Sequence, residues 1–236
     1  MKPLGIKSYG SIPHIIGSRL GAADHHAHEG QIKIATEKVR DRHDKVYIQE
    51  KLDGGNVGIA KLSGKILAIT RAGYLAETSP YITHHAFNQY VQDNEERFLN
   101  LLNEGERLCG EWLLTAVGTK YNLPHEPFVA FDLMTGRERI GMTEFYDRVY
   151  TKFPIPRIVA SEPLSISQIE QILEPSGHGA LEPVEGVIYR VERKGKVDFL
   201  AKYVRQNKVD GKYLQDTVFN TVPEAYKYLY DHVRVF

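Results

Sequence analysis

Lys51 ends a short apolar run and stands two residues ahead of an Asp-Gly-Gly turn, in Gln49-Glu50-Lys51-Leu52-Asp53-Gly54-Gly55-Asn56-Val57-Gly58. A lysine amine becomes a nucleophile once it loses its proton. The strand would hold that amine in a fixed place, while the glycines would let a ligand approach the backbone closely. Asp53 should lie on the same side as Lys51, by the two-residue period of extended chain. By itself the pattern is weak. Lys-x-Asp-Gly arises by chance in about one chain in twenty of this length, and an isolated match reads better as a surface hairpin with an exposed lysine.

The elements around this segment argue for more. From Val46 onward the chain shows short β-like runs broken by glycine turns. Val46–Gln49, Asn56–Leu62 and Lys65–Arg71 read as strands, the last two joined at Ser63-Gly64. Ser79 and Pro80 open a predicted helix to about Asn103, with Ser79 as cap and an apolar stripe through Phe87, Val91, Phe98, Leu101 and Leu102. Arg107–Thr115 and Pro127–Met134 are two further strands. Thr143–Phe153 and Ser165–Leu173 are helices, the second with a serine cap. Val184–Arg193 and Val197–Val204 form a second hairpin around Lys194-Gly195, and a last helix covers Pro223–Val233. Many short antiparallel strands with a few segregated helices predict an α+β fold in a single domain spanning residues 1–236, with 1–45 as an accessory segment.

Further patterns follow in order: Thr70-Arg71-Ala72-Gly73, Leu108-Cys109-Gly110-Glu111-Trp112-Leu113, Phe128-Val129-Ala130-Phe131-Asp132-Leu133, Glu185-Gly186-Val187-Ile188-Tyr189-Arg190 and Phe199-Leu200-Ala201-Lys202-Tyr203. With the Lys51 segment these resemble the motifs of the covalent nucleotidyltransferases, the superfamily of ATP-dependent ligases and mRNA capping enzymes. The chain is most similar there to the phage type-two-like and bacterial ATP-dependent RNA ligases. Six ordered matches span about 150 residues. One position departs from the pattern: Leu200 stands where the last motif often has a first lysine, and Lys202 remains.

The resemblance implies a ligase-type nucleotidyltransferase domain of antiparallel sheets flanked by helices. It implies an ATP-dependent RNA ligase sealing 5′-phosphate and 3′-hydroxyl ends through a lysyl-AMP on Lys51 and an adenylylated 5′ end. A DNA ligase, a guanylyltransferase and a catalytically silent nucleic-acid-binding relative stay open as alternatives. The implied cofactors are ATP and Mg2+, with Mn2+ as a substitute, and the implied partners are RNA ends or a nicked duplex. Asp53, Glu111 and Glu185 would cradle the metal. Phe131 would stack on adenine, Val187 or Ile188 would press on its other face, and Glu50 would read its edge by backbone or side chain. Glu111 would also reach the ribose. Lys202 would hold the α-phosphate, and Arg71 the ribose or an incoming end. Taken singly, Phe131 reads as core, Glu111 and Glu185 as strand-edge charges, and Arg71 and Lys202 as solvated cations. A free lysine has a pKa near 10.4, so about four molecules in ten thousand are neutral at pH 7, a cost of roughly 4.6 kcal/mol. A nearby cation is the expected remedy.

Composition sets outer bounds. Lys plus Arg total 30 and Asp plus Glu total 30, so nothing global attracts a polyanion, and any nucleic acid must be held by a local patch. Arg190, Arg193, Lys194, Lys196, Arg205, Lys208 and Lys212 could form such a track or an ordinary charged surface. One cysteine, Cys109, excludes an intrachain disulfide and a multi-cysteine zinc site, and it reads as core. Asp24, His25, His26 and His28, with His14 and His43 on either side, could hold a metal or a phosphate, though their spacing fits no tetrahedral zinc pattern and a polar loop explains them equally. His84 and His85 are expected to be structural or solvated. No apolar run approaches the roughly 20 residues a membrane span needs, and no secretory signal opens the chain, so a cytoplasmic location is expected. About 30 residues follow the last motif, too few for an OB-fold, which favours a small RNA-repair ligase.

Overall fold

A computed structural model describes residues 2–234; Met1, Val235 and Phe236, the outermost ends of the expected domain, lie outside the described residues. The elements are α1 (Glu29–Thr36), β1 (Asp44–Lys51), β2 (Gly55–Leu62), β3 (Lys65–Thr70), α2 (Ile82–Asp93), α3 (Glu95–Leu101), β4 (Glu106–Trp112), β5 (Phe128–Thr135), β6 (Glu138–Arg139), α4 (Met142–Val149), β7 (Ile158–Ala160), α5 (Ile166–Ile172), β8 (Gly186–Arg193), β9 (Lys196–Val204) and α6 (Asp231–Arg234). They build two antiparallel sheets, ordered β7-β1-β8-β9 and β3-β2-β4-β5-β6. The α+β expectation holds.

Strand alternation assigns the faces. Val46, Ile48, Val187, Tyr189, Val191, Ala201 and Tyr203 pack outward against Ile32 and Ala35 of α1 and Ile169 of α5. On the second sheet Val57, Ile59, Leu108 and Trp112 pack against Phe87 and Tyr90 of α2, Phe98 of α3 and Phe145 of α4. Each sheet thus has a helix-covered apolar face. Between the sheets lies a smaller cluster of Tyr9, Cys109, Met134 and Leu200. Cys109 is core as expected: it is buried, and burial pushes its thiol pKa up to about 12.

Some elements differ from expectation. The helix predicted over 79–103 starts at Ile82 and breaks at Asn94. Tyr81 is extended, so Ser79 cannot cap the helix; its hydroxyl instead accepts from the Tyr81 N–H at 3.2 Å. At Asn94 the side chain donates to the Tyr90 carbonyl at 2.8 Å, a local bond that competes with continued helix. His84 and His85 prove structural: each bonds Ser79, at 2.6 and 2.7 Å. The last predicted helix is a tighter 3-10 turn over Glu224–Tyr230 followed by α6. α1 falls in the segment that looked merely polar.

Candidate active site

The alternation that sends Ile48 outward sends Gln49 and Lys51 inward. The same rule turns Ile188 and Arg190 of β8, and Leu200 and Lys202 of β9, toward the second sheet. These six line one cavity of about 300 Å³. The opposing wall is Asn56, Glu111, Phe131 and Asp132, and Tyr9, Gly10, Ile12 and Arg71 close one side. Phe131 enters the cavity through a bulge. Cys109 pairs with Asp132 and Gly110 with Ala130, leaving Phe131 as the extra residue on β5. Its ring meets Tyr9 edge-on, with centroids 5.0 Å apart.

Lys51 Nζ donates to Glu185 Oε2 at 2.6 Å. Burial pushes the ammonium pKa down, but Glu185, Glu111 and Asp53 outweigh it, and the net shift is upward. Glu111 Oε1 accepts from the Gly54 N–H at 3.0 Å. Burial raises its pKa to about 7, against Lys51 and the Gly54 N–H and with help from the other two carboxylates. Burial also raises Glu185, opposed by Lys51. Asp53 sits 2.5 Å from Lys208 Nζ, and its Oδ2 accepts from Thr119 Oγ1 at 3.1 Å. The glycine turn serves the protein rather than a ligand. A Cβ on Gly54 would stand 2.5 Å from the Trp112 carbonyl and 2.7 Å from Leu113, so only glycine lets this turn close against β4.

Among the described residues no three His, Cys, Asp or Glu side chains come close enough to hold a metal ion directly. The acidic trio, linked through Lys51, is a set of hard oxygen donors spread around one positive charge. Such a set suits a cation that keeps its waters, as Mg2+ does.

The other expected residues divide. Arg71 lines the cavity, with Nη2 donating to Ser11 Oγ at 3.3 Å. Lys202 lines it too, and its Nζ lies 3.4 Å from Asp24 Oδ1. Burial lowers the Lys202 pKa against the pull of Asp24, with the charge of Lys51 adding to the drop. Asp24 also lies 3.1 Å from His14 Nε2. Of the histidine-rich segment, then, Asp24 and His14 reach the site's lysine, while His25, His26 and His28 are exposed. Val187 does not reach the cavity. It is fully buried on the outward face, and its neighbour Ile188 takes the wall position. Glu50 is also turned away. Its carboxylate accepts from Arg157 Nε at 3.1 Å, the Gly177 N–H at 2.8 Å and Ser176 Oγ, so only its backbone remains for a ligand.

Five of the seven residues of the basic stretch are drawn into acid pairs, Lys208 with Asp53 among them, and Lys194 and Lys196 are exposed at the β8–β9 turn. Arg190 is buried against Asp132 at 2.5 Å and Glu192 at 2.8 Å, Arg193 pairs with Asp41 and Asp44, Arg205 with Glu174, and Lys212 with Glu182. Positive charge drawn into acid pairs on different walls offers little to a phosphate.

Gln49 and Asn56 escaped the sequence reading. Gln49 Nε2 and Asn56 Oδ1 are buried without a protein hydrogen-bond partner, and both residues line the cavity. Unpaired buried amides are costly, and the cavity is the open space from which these two can be met by a polar partner. Gln49 could have been found from its even spacing to Lys51. Lys208 could not, because nothing local ties it to Asp53.

The residues N-terminal to α1 are part of this construction. The Lys202 N–H donates to the Pro13 carbonyl at 2.9 Å, and the Ile15 N–H to the Lys202 carbonyl at 3.0 Å, so the segment runs along β9 and brings Tyr9, Gly10 and Ile12 to the cavity. No helix among the described residues is long and apolar enough to cross a membrane.

The profile of the family described as RNA ligase matches residues 44–204, well over half the chain. An uncharacterized protein of Methanocaldococcus jannaschii is 29% identical over 102 residues, which is 43% of this chain and 22% of that protein. Among solved structures, form 1 of an archaeal ATP-dependent RNA ligase superposes with a TM-score of 0.54 at 20% identity, covering 84% of this chain and 48% of that one. A mutant Naegleria gruberi RNA ligase with ATP and Mn gives 0.54 at 19% identity, covering 85% and 61%. The chain therefore spans between about a fifth and three-fifths of the length of these proteins, and the two solved structures share its fold. With β1 through β9 carrying the matched stretch, the chain belongs to the RNA ligase family.

Proposed function

We propose that the protein is an ATP-dependent RNA ligase that joins a 5′-phosphate to a 3′-hydroxyl through a lysyl-AMP on Lys51. The observation that carries this reading is a lysine amine held at the edge of a nucleotide-sized cavity by a carboxylate 2.6 Å away. In the first step the neutral Lys51 Nζ attacks the α-phosphorus of ATP, a P–N bond forms, and the P–O bond to pyrophosphate breaks. The 5′-phosphate of an RNA end then takes the AMP from the lysine. Last, the 3′-hydroxyl attacks that activated phosphate and AMP leaves. The covalent step stores the energy of ATP on the enzyme until an end arrives.

The side chains divide the work. Phe131 offers its face to adenine and Ile188 the opposing wall, a contact worth about 1–3 kcal/mol. Gln49 and the Glu50 backbone meet the base edge, and Asn56 meets the sugar. Lys202 neutralises the α-phosphate, and Arg71 receives the ribose or the incoming end. Asp53, Glu111 and Glu185 would hold a hydrated Mg2+, or Mn2+ in its place, whose charge favours the neutral form of Lys51 and offsets the leaving group.

Incubation with α-labelled ATP and Mg2+ should put covalent label that is labile to acid and stable to alkali, as a P–N bond is, on the wild type and none on Lys51→Ala. Label from GTP in preference to ATP would reassign the nucleotide, and sealing of nicked DNA but not nicked RNA would reassign the substrate. Label persisting in Lys51→Ala would place the nucleophile elsewhere.

A further inference from the structure

The ion pair between Lys208 and Asp53 belongs to no part of the chemistry described so far. Lys208 follows β9 on a connection that runs across the loop after β4. Its ammonium is 2.5 Å from Asp53 Oδ2 and also donates to Thr119 Oγ1, whose hydroxyl donates to the same carboxylate oxygen. The pair is withdrawn from solvent, with the two side chains 8% and 11% exposed. The neighbourhood is shaped for it. A Cβ on Gly118 would stand 2.7 Å from Asp53 Oδ2, 2.7 Å from the Val209 carbonyl and 3.2 Å from Lys208 Cε, so glycine there lets the loop and the connection close on the carboxylate.

Two of the three carboxylates around the nucleophile thus already carry a protein cation, Lys51 on Glu185 and Lys208 on Asp53. A divalent ion that draws on Asp53 meets that second charge on the same carboxylate and is repelled by it. The connection can yield. Its ties to the rest of the chain include the Gln206 side-chain N–H to the Gly17 carbonyl at 2.8 Å, an Arg19–Asp210 pair at 2.7 Å and a Lys212–Glu182 pair, all three solvent-exposed, beside an Arg205–Glu174 pair at 3.0 Å, the Tyr213 hydroxyl to Glu182 at 2.8 Å, and the Arg205 and Tyr213 N–H groups to the Glu185 and Val117 carbonyls at 3.0 and 2.9 Å. Exposed ties of this kind are weak.

We infer that Lys208 is a positioning residue that aims the Asp53 carboxylate in the nucleotide-free protein and competes with the divalent cation for it, so that cation binding and release of the 205–214 connection are one event. The inference rests on the ligase reading only in taking Asp53 as a cation-holding carboxylate. A merely structural lysine predicts the opposite sign in the test, because its loss would loosen the site and weaken cation binding.

The test is a titration of the nucleotide-free full chain with Mn2+ alone, followed by the electron paramagnetic resonance of the free ion. Lys208→Met should bind Mn2+ roughly tenfold more tightly than wild type, Lys208→Arg should stay near wild type, and Asp53→Asn should lose the site in either background. Equal or weaker binding by folded Lys208→Met overturns the inference, as does a site that survives Asp53→Asn. Should Lys208→Met fail to fold, hydrogen exchange on the wild type decides. Saturating Mn2+ should speed exchange of the Lys208 and Tyr213 amides, and unchanged protection overturns the idea. No ATP enters these measurements, so they stand apart from the labelling assay. A chain that takes label but shows no Lys208 effect sinks only this inference, and one that shows the effect but takes no label sinks only the ligase reading.

Discussion

Lys51 Nζ and Glu185 Oε2 lie 2.6 Å apart, across 134 residues of sequence, and the pair leaves the amine more basic than a free lysine. Without a cation the amine is thus held charged, and lowering its pKa is left to the cation expected from the sequence. A charged lysine is no nucleophile, so under the proposed chemistry these carboxylates keep the amine inactive at rest. Replacing Glu185 with Gln removes the largest single attraction on the ammonium. In metal-free protein Lys51→neutral conversion should then come at lower pH, seen as faster modification of Lys51 by an amine reagent. Adenylylation should nonetheless fall by about 10–100-fold, since the carboxylate is also needed in the loaded site.

Phe131 projects from a bulge, lines the cavity and meets Tyr9 in an edge-to-face pair. Phe131→Ala should raise the KM for ATP between about fivefold and a hundredfold, the equivalent of 1–3 kcal/mol of lost stacking. Single-turnover transfer from pre-formed adenylate should change less. Equal losses in both steps would mean that the ring only supports the wall.

Glu111 carries a pKa near 7, raised first by burial. Between its unfolded value of about 4.5 and 7, the folded chain keeps a proton that the unfolded chain releases. Stability therefore falls as pH rises through that window and stays lower above it. Glu111→Gln removes the penalty. In chelator-treated protein it should match wild type at pH 4 and be roughly 1–3 kcal/mol more stable at pH 8, by urea denaturation. Adenylylation should be lost in the same variant.

His178 and His125 form a neutral pair whose tautomers are set by their neighbours. The Arg157 N–H donates to His178 Nε2 at 3.2 Å, so His178 Nδ1 carries the proton and donates to His125 Nε2 at 2.7 Å. His125 Nδ1 donates in turn to the Glu126 carbonyl at 2.7 Å. Burial, His125 and Arg157 push the His178 pKa down to about 3. Below about pH 6.5 the unfolded chain takes a proton that the folded one refuses, so stability drops on acidification, by up to about 1.4 kcal/mol per pH unit. His178→Asn should be less stable at pH 7.5 and lose less between pH 6.5 and 4.5. Parallel curves for the two proteins would sink this assignment.

How much of this could be read beforehand follows from the reach of each signal. The ordered motifs located Lys51, Glu111, Phe131, Glu185, Arg71 and Lys202, and the strands that carry them are close to those expected. Of the two routes offered for Glu50 only the backbone stays open, and of Val187 and Ile188 only Ile188 lines the cavity, for a reason that was itself legible. A strand shows one face to the cavity, and residues one step from Lys51 and Ile188 must point the other way. Applied strictly, that rule would have added Gln49 and chosen Ile188 over Val187. The break at Asn94 was harder, because the apolar stripe runs through it and one side-chain hydrogen bond decides the matter.

Sequence alone determined the fold class, the family and the order of its motifs, since these rest on local periodicity and on residue types at fixed spacing. Only the tertiary structure decided which charges meet. Arg190 lies in a run of basic residues yet is buried on Asp132, Lys208 holds Asp53 from 155 residues away, and Asp24 reaches Lys202 across 178. Coulomb attraction depends on distance in space and on the solvent excluded between two groups, and neither is written in how far apart they stand along the chain.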